Sequence, residues 1–261
     1  MTHHLKVALA QCLSGCDPAR IIRHARMNGA EIVVFPEMYS NGYAHLDSKD
    51  SVAVENWYSG AEGLDGNFIG KFKEAARAHR VHVVATLLEA AGPKPFNSAV
   101  LIDPVGNVVL HHRKVYICDF DSPENLCGRG RTFEVAEITT SAGQVKTGLM
   151  ICMDREYAGS ARSLSQSGAE IVLVPNCCEL ASDPVVGDVR IAQARGRAFE
   201  AVIGMAVANY PKPRSDGHSF AVGPRGEVIA MAGESPAIVI AAFDLALIRR
   251  TRVEDSFRWA R

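Results

Sequence analysis

Short apolar runs alternate with amphipathic stretches along almost the whole chain, and each run stops at a turn-forming or charged residue. Leu5–Gln11 alternates at the period of a strand. Asp17-Pro18 then supplies an N-cap and a first-turn proline for a helix to Asn28, closed by Gly29. Glu31–Phe35 reads as the next strand, ended by Pro36, while Met38 to Asp65 keeps no period and reads as loops. Asn67–His79 predicts a helix, Val81–Leu87 a strand, and Gly92–Asn97 a turn-rich bend. Ser98–Ile102 and Val108–Arg113 flank Asp103-Pro-Val-Gly106, a hairpin signature.

The second half repeats this grammar. Thr132–Ile138 and Val145–Ile151 read as strands, Ala158–Ser167 as a helix closed by Gly168, and Glu170–Val174 as a strand ended by Pro175-Asn176. A helix over Val185–Glu200 follows, then strands at Val202–Ala208, Ser219–Val222, Val228–Met231 and Ala237–Phe243, and a charged helix at Leu245–Arg252. Gly29-Ala-Glu-Ile-Val-Val-Phe-Pro36 returns as Gly168-Ala-Glu-Ile-Val-Leu-Val-Pro175, and Gly223-Pro-Arg-Gly226 matches the earlier hairpin turn. Two related halves that mix helix-linked and hairpin-linked strands predict an α/β fold of two sheets packed face to face, with helices outside. A singly layered doubly wound sheet is the competing arrangement. No linker or low-complexity segment divides the chain, which points to one domain over residues 1–261.

Composition then narrows the partner. The chain has 261 residues, of which 48% are hydrophobic, enough for a substantial core. Its net charge is −1 with Lys and Arg dispersed, so no basic stripe invites nucleic acid. No apolar run is long enough to span a bilayer, and the start lacks a signal-peptide core. Seven cysteines, with no CxxC pair and no zinc-like Cys/His spacing, suggest a reducing, cytoplasmic setting without a metal. A small-molecule substrate is the expected partner.

Chemistry gathers where apolar strands give way to loops. Cys152 ends the run Val145–Ile151 just before a helix, where orphan N–H groups would favour a thiolate and steady an oxyanion. A free cysteine in such a place is also commonly a small buried hydrophobe. Glu37 follows Phe35-Pro36 at one strand tip, and Lys114 follows a hairpin strand. Since a thiol is mostly protonated at neutral pH, Glu37 can take its proton, while Lys114 and the Met153 N–H can donate to a developing oxyanion. Taken singly, Glu37 fits a turn cap and Lys114, in His111-His-Arg-Lys114, a solvated basic face. A Cys–His hydrolase would need His111, His112 or His218, but none has a recognisable partner motif around Cys152.

Phe35-Pro-Glu37, Arg113-Lys114 and Gly148-Leu-Met-Ile-Cys-Met-Asp154 together closely resemble the three signature segments of the nitrilase, or carbon–nitrogen hydrolase, superfamily. Gly168–Asn176, Ala194–Glu200, Val207–Tyr210 and Gly217-His-Ser219 extend the resemblance over essentially the whole chain. It implies an α-β-β-α sandwich, usually paired into a homodimer or larger assembly, with a Glu-Lys-Cys triad and no cofactor. By this resemblance Glu37 is the general base, Lys114 stabilises the oxyanion, and Cys152 forms a thioester with loss of ammonia or an amine. Many members carry a second glutamate between the Lys and Cys segments, which Glu124 matches, with Glu134 as the fallback. The chain departs from the family in a shorter first helix, in Ala158-Gly159 where Pro-Glu is common, and in Ala201 where Asn is frequent.

True nitrilases often place Trp directly after the cysteine, whereas Met153-Asp154 is similar to the amidase and carbamoylase branches. The expected substrate is therefore a small linear amide or an N-carbamoyl compound, with nitrile hydrolysis, acyl transfer and a non-catalytic binding protein as alternatives. Arg155 lies near the position at which some carbamoyl-amino-acid hydrolases bind a carboxylate, and it fits a structural ion pair with Asp154 or Glu156 equally well. By family position Tyr43, Trp57, Asn176, Cys177 and Cys178, with Met153, are candidates to line the pocket.

Overall fold

Each half of the chain lays down three parallel strands and then folds back through a hairpin. The computed structural model describes residues 4–120 and 123–255. Residues 1–3, on which part of the leader-free reading rests, and residues 121–122 lie outside the described residues. In the first half β1 (His4–Gln11), β2 (Ile32–Val34) and β3 (His82–Glu89) run parallel, and β4 (Phe96–Ile102) and β5 (Val108–Arg113) return antiparallel. In the second, β6 (Val135–Thr140) flanks β7 (Gly143–Leu149), which runs parallel with β8 (Ile171–Pro175) and β9 (Gly204–Ala208). There β10 (Phe220–Val222) and β11 (Val228–Met231) form the hairpin. The last strand, β12 (Ala237–Asp244), crosses to the first sheet and pairs antiparallel with β1. The orders β12-β1-β2-β3-β4-β5 and β6-β7-β8-β9-β10-β11 make two six-stranded mixed sheets of like topology.

Three layers of apolar packing hold them. Leu5, Val7, Leu9, Ile32 and Val34 meet Val145, Leu149, Ile171 and Leu173 between the sheets. Outside the first sheet, α1 (Pro18–Met27) and α3 (Asn67–His79) cover Val33, Phe35 and Val83 with Ile22, Ile69 and Phe72. Outside the second, α4 (Ala158–Gln166) and α5 (Val189–Ala201) cover Val172, Val174 and Met205 with Leu164, Ile191 and Ala198. Each fully buried side chain of this size contributes about 1.5–3 kcal/mol before conformational entropy is charged against it. The α-β-β-α sandwich holds, and the single doubly wound sheet is ruled out. Gly148 matters to this packing, because a Cβ there would lie 2.7 Å from Leu164, so its absence lets α4 settle onto β7.

Several sequence expectations change. The stretch Met38 to Asp65 contains α2 (Ser51–Ser59), capped by the Asp50 carboxylate accepting from Val52 and Ala53 N–H. None of its residues is fully buried, so it carries no apolar stripe for a periodic reading to detect. β4 begins at Phe96, inside the predicted bend. α5 starts at Val189 rather than Val185, because Asp183 accepts the N–H groups of Val185 and Val186 and holds them in a turn. β6 and β7 sit two to three residues from their expected bounds on the hairpin they share. α6 (Leu245–Glu254) is the last described element. Among the described residues no helix is long and apolar enough to cross a membrane.

Candidate active site

Pro36 stops β2 and throws Glu37 onto the sheet tip, where backbone contacts fix it. Its N–H donates to the Asn176 carbonyl at 3.4 Å, joining the tips of β2 and β8, and its carbonyl accepts from the Tyr210 hydroxyl at 2.9 Å. Lys114 leaves β5 with its N–H on the Asn97 carbonyl at 2.9 Å and its carbonyl accepting Gly130 N–H at 2.8 Å. Glu124 opens a short 3₁₀ turn, Glu124–Leu126, and is fully buried.

These elements deliver one buried cation between two carboxylates. Lys114 Nζ donates to Glu37 Oε1 at 2.7 Å and to Glu124 Oε1 at 2.6 Å, and all three side chains are inaccessible to solvent. Asn97 Nδ2 donates to the same two oxygens at 2.7 and 3.1 Å, and the Tyr43 hydroxyl donates to Glu124 Oε1 at 2.8 Å. Glu124 Oε2 accepts the Cys118 N–H at 2.7 Å. Burial disfavours the Lys114 charge, but the two carboxylates outweigh it and hold the ammonium protonated well above its usual range. Burial also raises Glu124, but the Lys114 charge and hydrogen bonds with Glu37, Lys114 and the Cys118 N–H outweigh it and hold the carboxyl below its usual range. Glu37 goes the other way, raised by burial and by the nearby Cys152 and Glu124. Its Oε2 is buried and has no hydrogen-bond partner among the described residues.

Cys152 heads the 3₁₀ turn Cys152–Glu156 with φ of 44°, a left-handed conformation that costs about 1–2 kcal/mol for a non-glycine residue. Asp154 compensates. It accepts Ile151 N–H on Oδ2 at 3.0 Å, Val115 and Tyr116 N–H on Oδ1 at 3.1 and 2.8 Å, and pairs with His112 Nε2 at 2.8 Å. The turn carrying Cys152 is thereby tied to the segment carrying Lys114. Glu37, Lys114 and Cys152 are close enough to perturb one another's ionisation. The expected thiolate-favouring helix start does not operate, since a hydrogen bond to Cys178 and burial push the Cys152 thiol up. Among the described residues the Met153 N–H donates no hydrogen bond, which leaves it open to a substrate oxygen.

The remaining candidates divide. Tyr43 joins the site through Glu124, and Met153 and Cys177 are half-buried beside it, with Met153 Sδ 3.5 Å from Cys118 Sγ and the Cys177 carbonyl 4.0 Å from Cys152 Sγ. Asn176 turns its side chain away to accept from Arg155 Nε at 3.3 Å and to donate to Asn209 Oδ1 at 3.1 Å. Arg155 is fully buried, with Nη2 on Cys178 Sγ at 3.4 Å and Nη1 3.7 Å from Glu156, and Nη1 makes no hydrogen bond among the described residues. Trp57 is half-buried against the outer core of the first sheet. Glu134 is exposed, so Glu124 is the second glutamate of this cluster. His111 pairs with Glu89 and His218 lies 3.7 Å from Asp216, so neither histidine is committed to Cys152.

Asn97 and the Asp154–His112 pair went unread in the sequence. Asn97 sits where β4 crosses the tip of β3, and no local motif links it to residues 60 and 27 positions away. A groove of about 930 Å³ along β5 and β6 is lined by Phe96, His111, Arg113, Arg129 and Arg131 among others, and none of Glu37, Lys114, Glu124 or Cys152 borders it. Among the described residues no group of three His, Cys, Asp or Glu is placed to hold a metal ion.

Comparison with known proteins brings in independent information. The profile described as carbon–nitrogen hydrolase matches residues 17–253. The omega-amidase of Bos taurus is 28% identical over 247 residues, covering 89% of this chain and 83% of its own. A carbon–nitrogen hydrolase from Helicobacter pylori G27 superposes with a TM-score of 0.81 at 23% identity, over 99% of this chain and 96% of that one. An amidase variant from Nesterenkonia sp. AN1, carrying the product of Michael addition of acrylamide at its active-site cysteine, has a TM-score of 0.71 at 23% identity, covering 95% and 99%.

Proposed function

Because this chain belongs to the carbon–nitrogen hydrolase family, we propose that Cys152, Glu37 and Lys114 hydrolyse a small linear amide or N-carbamoyl compound through a thioester. The observation that carries this reading is the division of labour on Glu37. Its Oε1 is locked to Lys114 and Asn97, while Oε2 is free. A carboxylate so oriented, with its pKa raised, suits proton transfer from a buried thiol near neutral pH.

Glu37 Oε2 takes the Cys152 proton as sulfur attacks the amide carbon. The oxyanion is met by Lys114 Nζ and the Met153 N–H. Glu37 then gives that proton to the departing nitrogen, the C–N bond breaks, and an acyl group remains on sulfur. Water, deprotonated by Glu37, attacks the thioester, and the proton returns to sulfur as the acid leaves. Glu124, Asn97 and Tyr43 hold Lys114 and Glu37 in register. The 28% identity to an omega-amidase supports an amide over a nitrile.

The same reading extends to the whole chain as one domain acting as a homodimer in a reducing, cytoplasmic compartment. Seven free cysteines support the compartment, and exposed Val185, Val189 and Phe199 on and before α5 support a partner copy. Intact-protein mass spectrometry during turnover of a slow amide tests the chemistry. An acyl adduct on the Cys152 peptide is expected; an adduct elsewhere sinks the mechanism. Hydroxylamine trapping in the same reaction separates hydrolysis from transfer.

A further inference from the structure

A second sulfur stands beside the nucleophile, and amide hydrolysis makes no use of it. β7 and β8 are parallel neighbours with Leu149 opposite Leu173, and Cys152 and Cys178 lie three and five residues beyond those positions. The two strand tips meet there. The Cys177 carbonyl is 4.0 Å from Cys152 Sγ, and the thiols of Cys152 and Cys178 hydrogen-bond each other. Asn209 fixes the backbone of Cys178, its Oδ1 accepting the Cys178 N–H at 3.3 Å and its Nδ2 donating to the Cys178 carbonyl at 2.9 Å.

Cys178 has the surroundings of an attacking sulfur. Arg155 Nη2 donates to its Sγ at 3.4 Å and Asn176 Nδ2 donates to it at 3.3 Å, and both of those side chains are fully buried. A guanidinium beside a sulfur favours the thiolate. The bond with Cys152 lowers the Cys178 thiol most, and the Arg155 charge and Asn176 bond add to it, so that together they outweigh burial. The same bond, with burial, raises Cys152, which makes Cys178 the readier of the two sulfurs to attack an oxidant. The other thiols nearby are placed differently. Burial raises Cys177, whose thiol hydrogen-bonds Arg214, and it raises Cys118, whose Sγ lies 3.9 Å from Lys114 Nζ and 3.5 Å from Met153 Sδ.

We propose that Cys152 and Cys178 form a reversible disulfide when the protein meets a hydroperoxide, which caps the nucleophile in a form that a thiol reductant restores. The inference takes Cys152 as the nucleophile from the amidohydrolase reading. Cys178 sulfur attacks the peroxide and the O–O bond breaks. Cys178 becomes a sulfenic acid, and the departing oxygen takes a proton from solvent as an alcohol, or as water where the oxidant is hydrogen peroxide. Cys152 then gives its proton to Glu37 and attacks the Cys178 sulfur. The S–O bond breaks, and the hydroxide leaves as water with the proton held by Glu37. The two sulfurs lose two electrons in all, and the peroxide gains them. A dithiol reverses the bond by exchange and is itself oxidised to a disulfide. While capped, Cys152 is kept from the irreversible sulfinic and sulfonic acids.

The test treats the full chain with hydrogen peroxide, blocks the remaining thiols with N-ethylmaleimide in denaturant, and digests with trypsin without reductant. Mass spectrometry is expected to find Thr147–Arg155 joined to Ser163–Arg190, lighter by two hydrogens than the two peptides together. Cys177 shares the second peptide, so variants assign the bond: Cys177→Ala keeps the link and Cys178→Ala loses it. Ammonia release from an amide should fall in step with the link in wild type and return with dithiothreitol. In Cys178→Ala the loss should be slower by about tenfold or more, since the thiolate is the attacking form, and dithiothreitol should not reverse it. Each protein is compared with its own untreated sample, so a variant of lower activity does not imitate the effect. No link in wild type, a bridge from Cys152 to Cys118 or Cys177, or inactivation by sulfinic acid on Cys152 alone overturns the pairing and leaves the amidohydrolase standing. A link in a protein that hydrolyses no amide and carries no acyl adduct on Cys152 supports the pairing and overturns the amidohydrolase reading.

Discussion

Two cysteines occupy the same place in the two halves. Val7, Ala8 and Leu9 pair with Ile32, Val33 and Val34 as Thr147, Gly148 and Leu149 pair with Ile171, Val172 and Leu173. Cys12 therefore stands three residues beyond Leu9 just as Cys152 stands three beyond Leu149. Their surroundings differ. Cys12 donates to the Tyr39 hydroxyl at 3.5 Å, that hydroxyl donates to the Leu13 carbonyl, and burial pushes the Cys12 thiol up to about 12. Cys152 lies near enough to Glu37 to raise its carboxyl, and the counterpart of Glu37 beyond Pro175 is Asn176, an amide that cannot act as a base. On the proposed mechanism, what distinguishes the Cys152 thiol from the Cys12 thiol is the carboxylate and ammonium that the other sheet brings to it. The first sheet supplies both, and the second supplies the sulfur.

The sharpest way to break the comparison is to remove each thiol. Cys152→Ala should lower kcat for ammonia release by roughly four orders of magnitude or more, as loss of a covalent nucleophile does. Cys12→Ala should stay within about threefold of wild type. A Cys12 variant as inactive as the Cys152 variant would place the nucleophile in the wrong half. Next comes the cation. Lys114→Met should lower kcat by roughly a hundredfold or more through loss of the oxyanion donor. It should also destabilise the fold by about 3–5 kcal/mol in urea titration, because two buried carboxylates lose their counterion. Near-normal turnover in Lys114→Met would remove it from the chemistry.

What the sequence made legible follows from this geometry. Glu37, Lys114 and Cys152 each end an apolar run, and strand ends are where a two-sheet fold exposes side chains to one another. The echo of Gly29–Pro36 in Gly168–Pro175 marks helix-to-strand corners, so the duplicated topology was readable too. Asn97 was not, since a polar residue at the start of a strand after Gly92 and Pro95 looks like part of a turn. Its inward direction comes from pairing with β3 and β5, which no local pattern encodes. α2 escaped because it buries no stripe.

The next effect is on pH. Glu37 is raised above the ordinary 4.5 by burial and by the Cys152 and Glu124 charges, so the acid limb of kcat/KM should lie above the usual carboxylate range, with activity rising as Glu37 loses its proton. Glu124→Gln removes one of those charges. The limb should then move to lower pH, by an amount within reach of a pH–rate profile, even if kcat itself falls. A limb that moves to higher pH would assign the titration to another group. The same substitution should leave the pH behaviour of Cys12 alkylation unchanged, because Cys12 has neither carboxylate beside it.

The smallest effect concerns how the Lys114 side is anchored, which the Cys12 side has no need of. Just before Lys114, Arg113 clamps Glu89 with Nε at 2.9 Å and Nη2 at 2.6 Å, and Ser98 and His111 add hydrogen bonds to Oε2 at 2.5 and 2.9 Å. Burial raises Glu89, but these donors outweigh it and bring the carboxyl down to about 2. A carboxyl depressed in the folded state stabilises above its unfolded pKa, and that stability drains away as pH falls from about 4.5 towards 2. Glu89→Gln should therefore cost about 2 kcal/mol at pH 7, since Arg113 is one-third exposed and solvent screens part of the pair. Its stability should fall less steeply than wild type below pH 4.5, converging on wild type near pH 2. The tip of β5 should loosen with it, lowering kcat a few-fold and leaving Cys12 as protected from alkylation as before. Equal stability of the two proteins at pH 7 would mean that the clamp does not hold Lys114 in place.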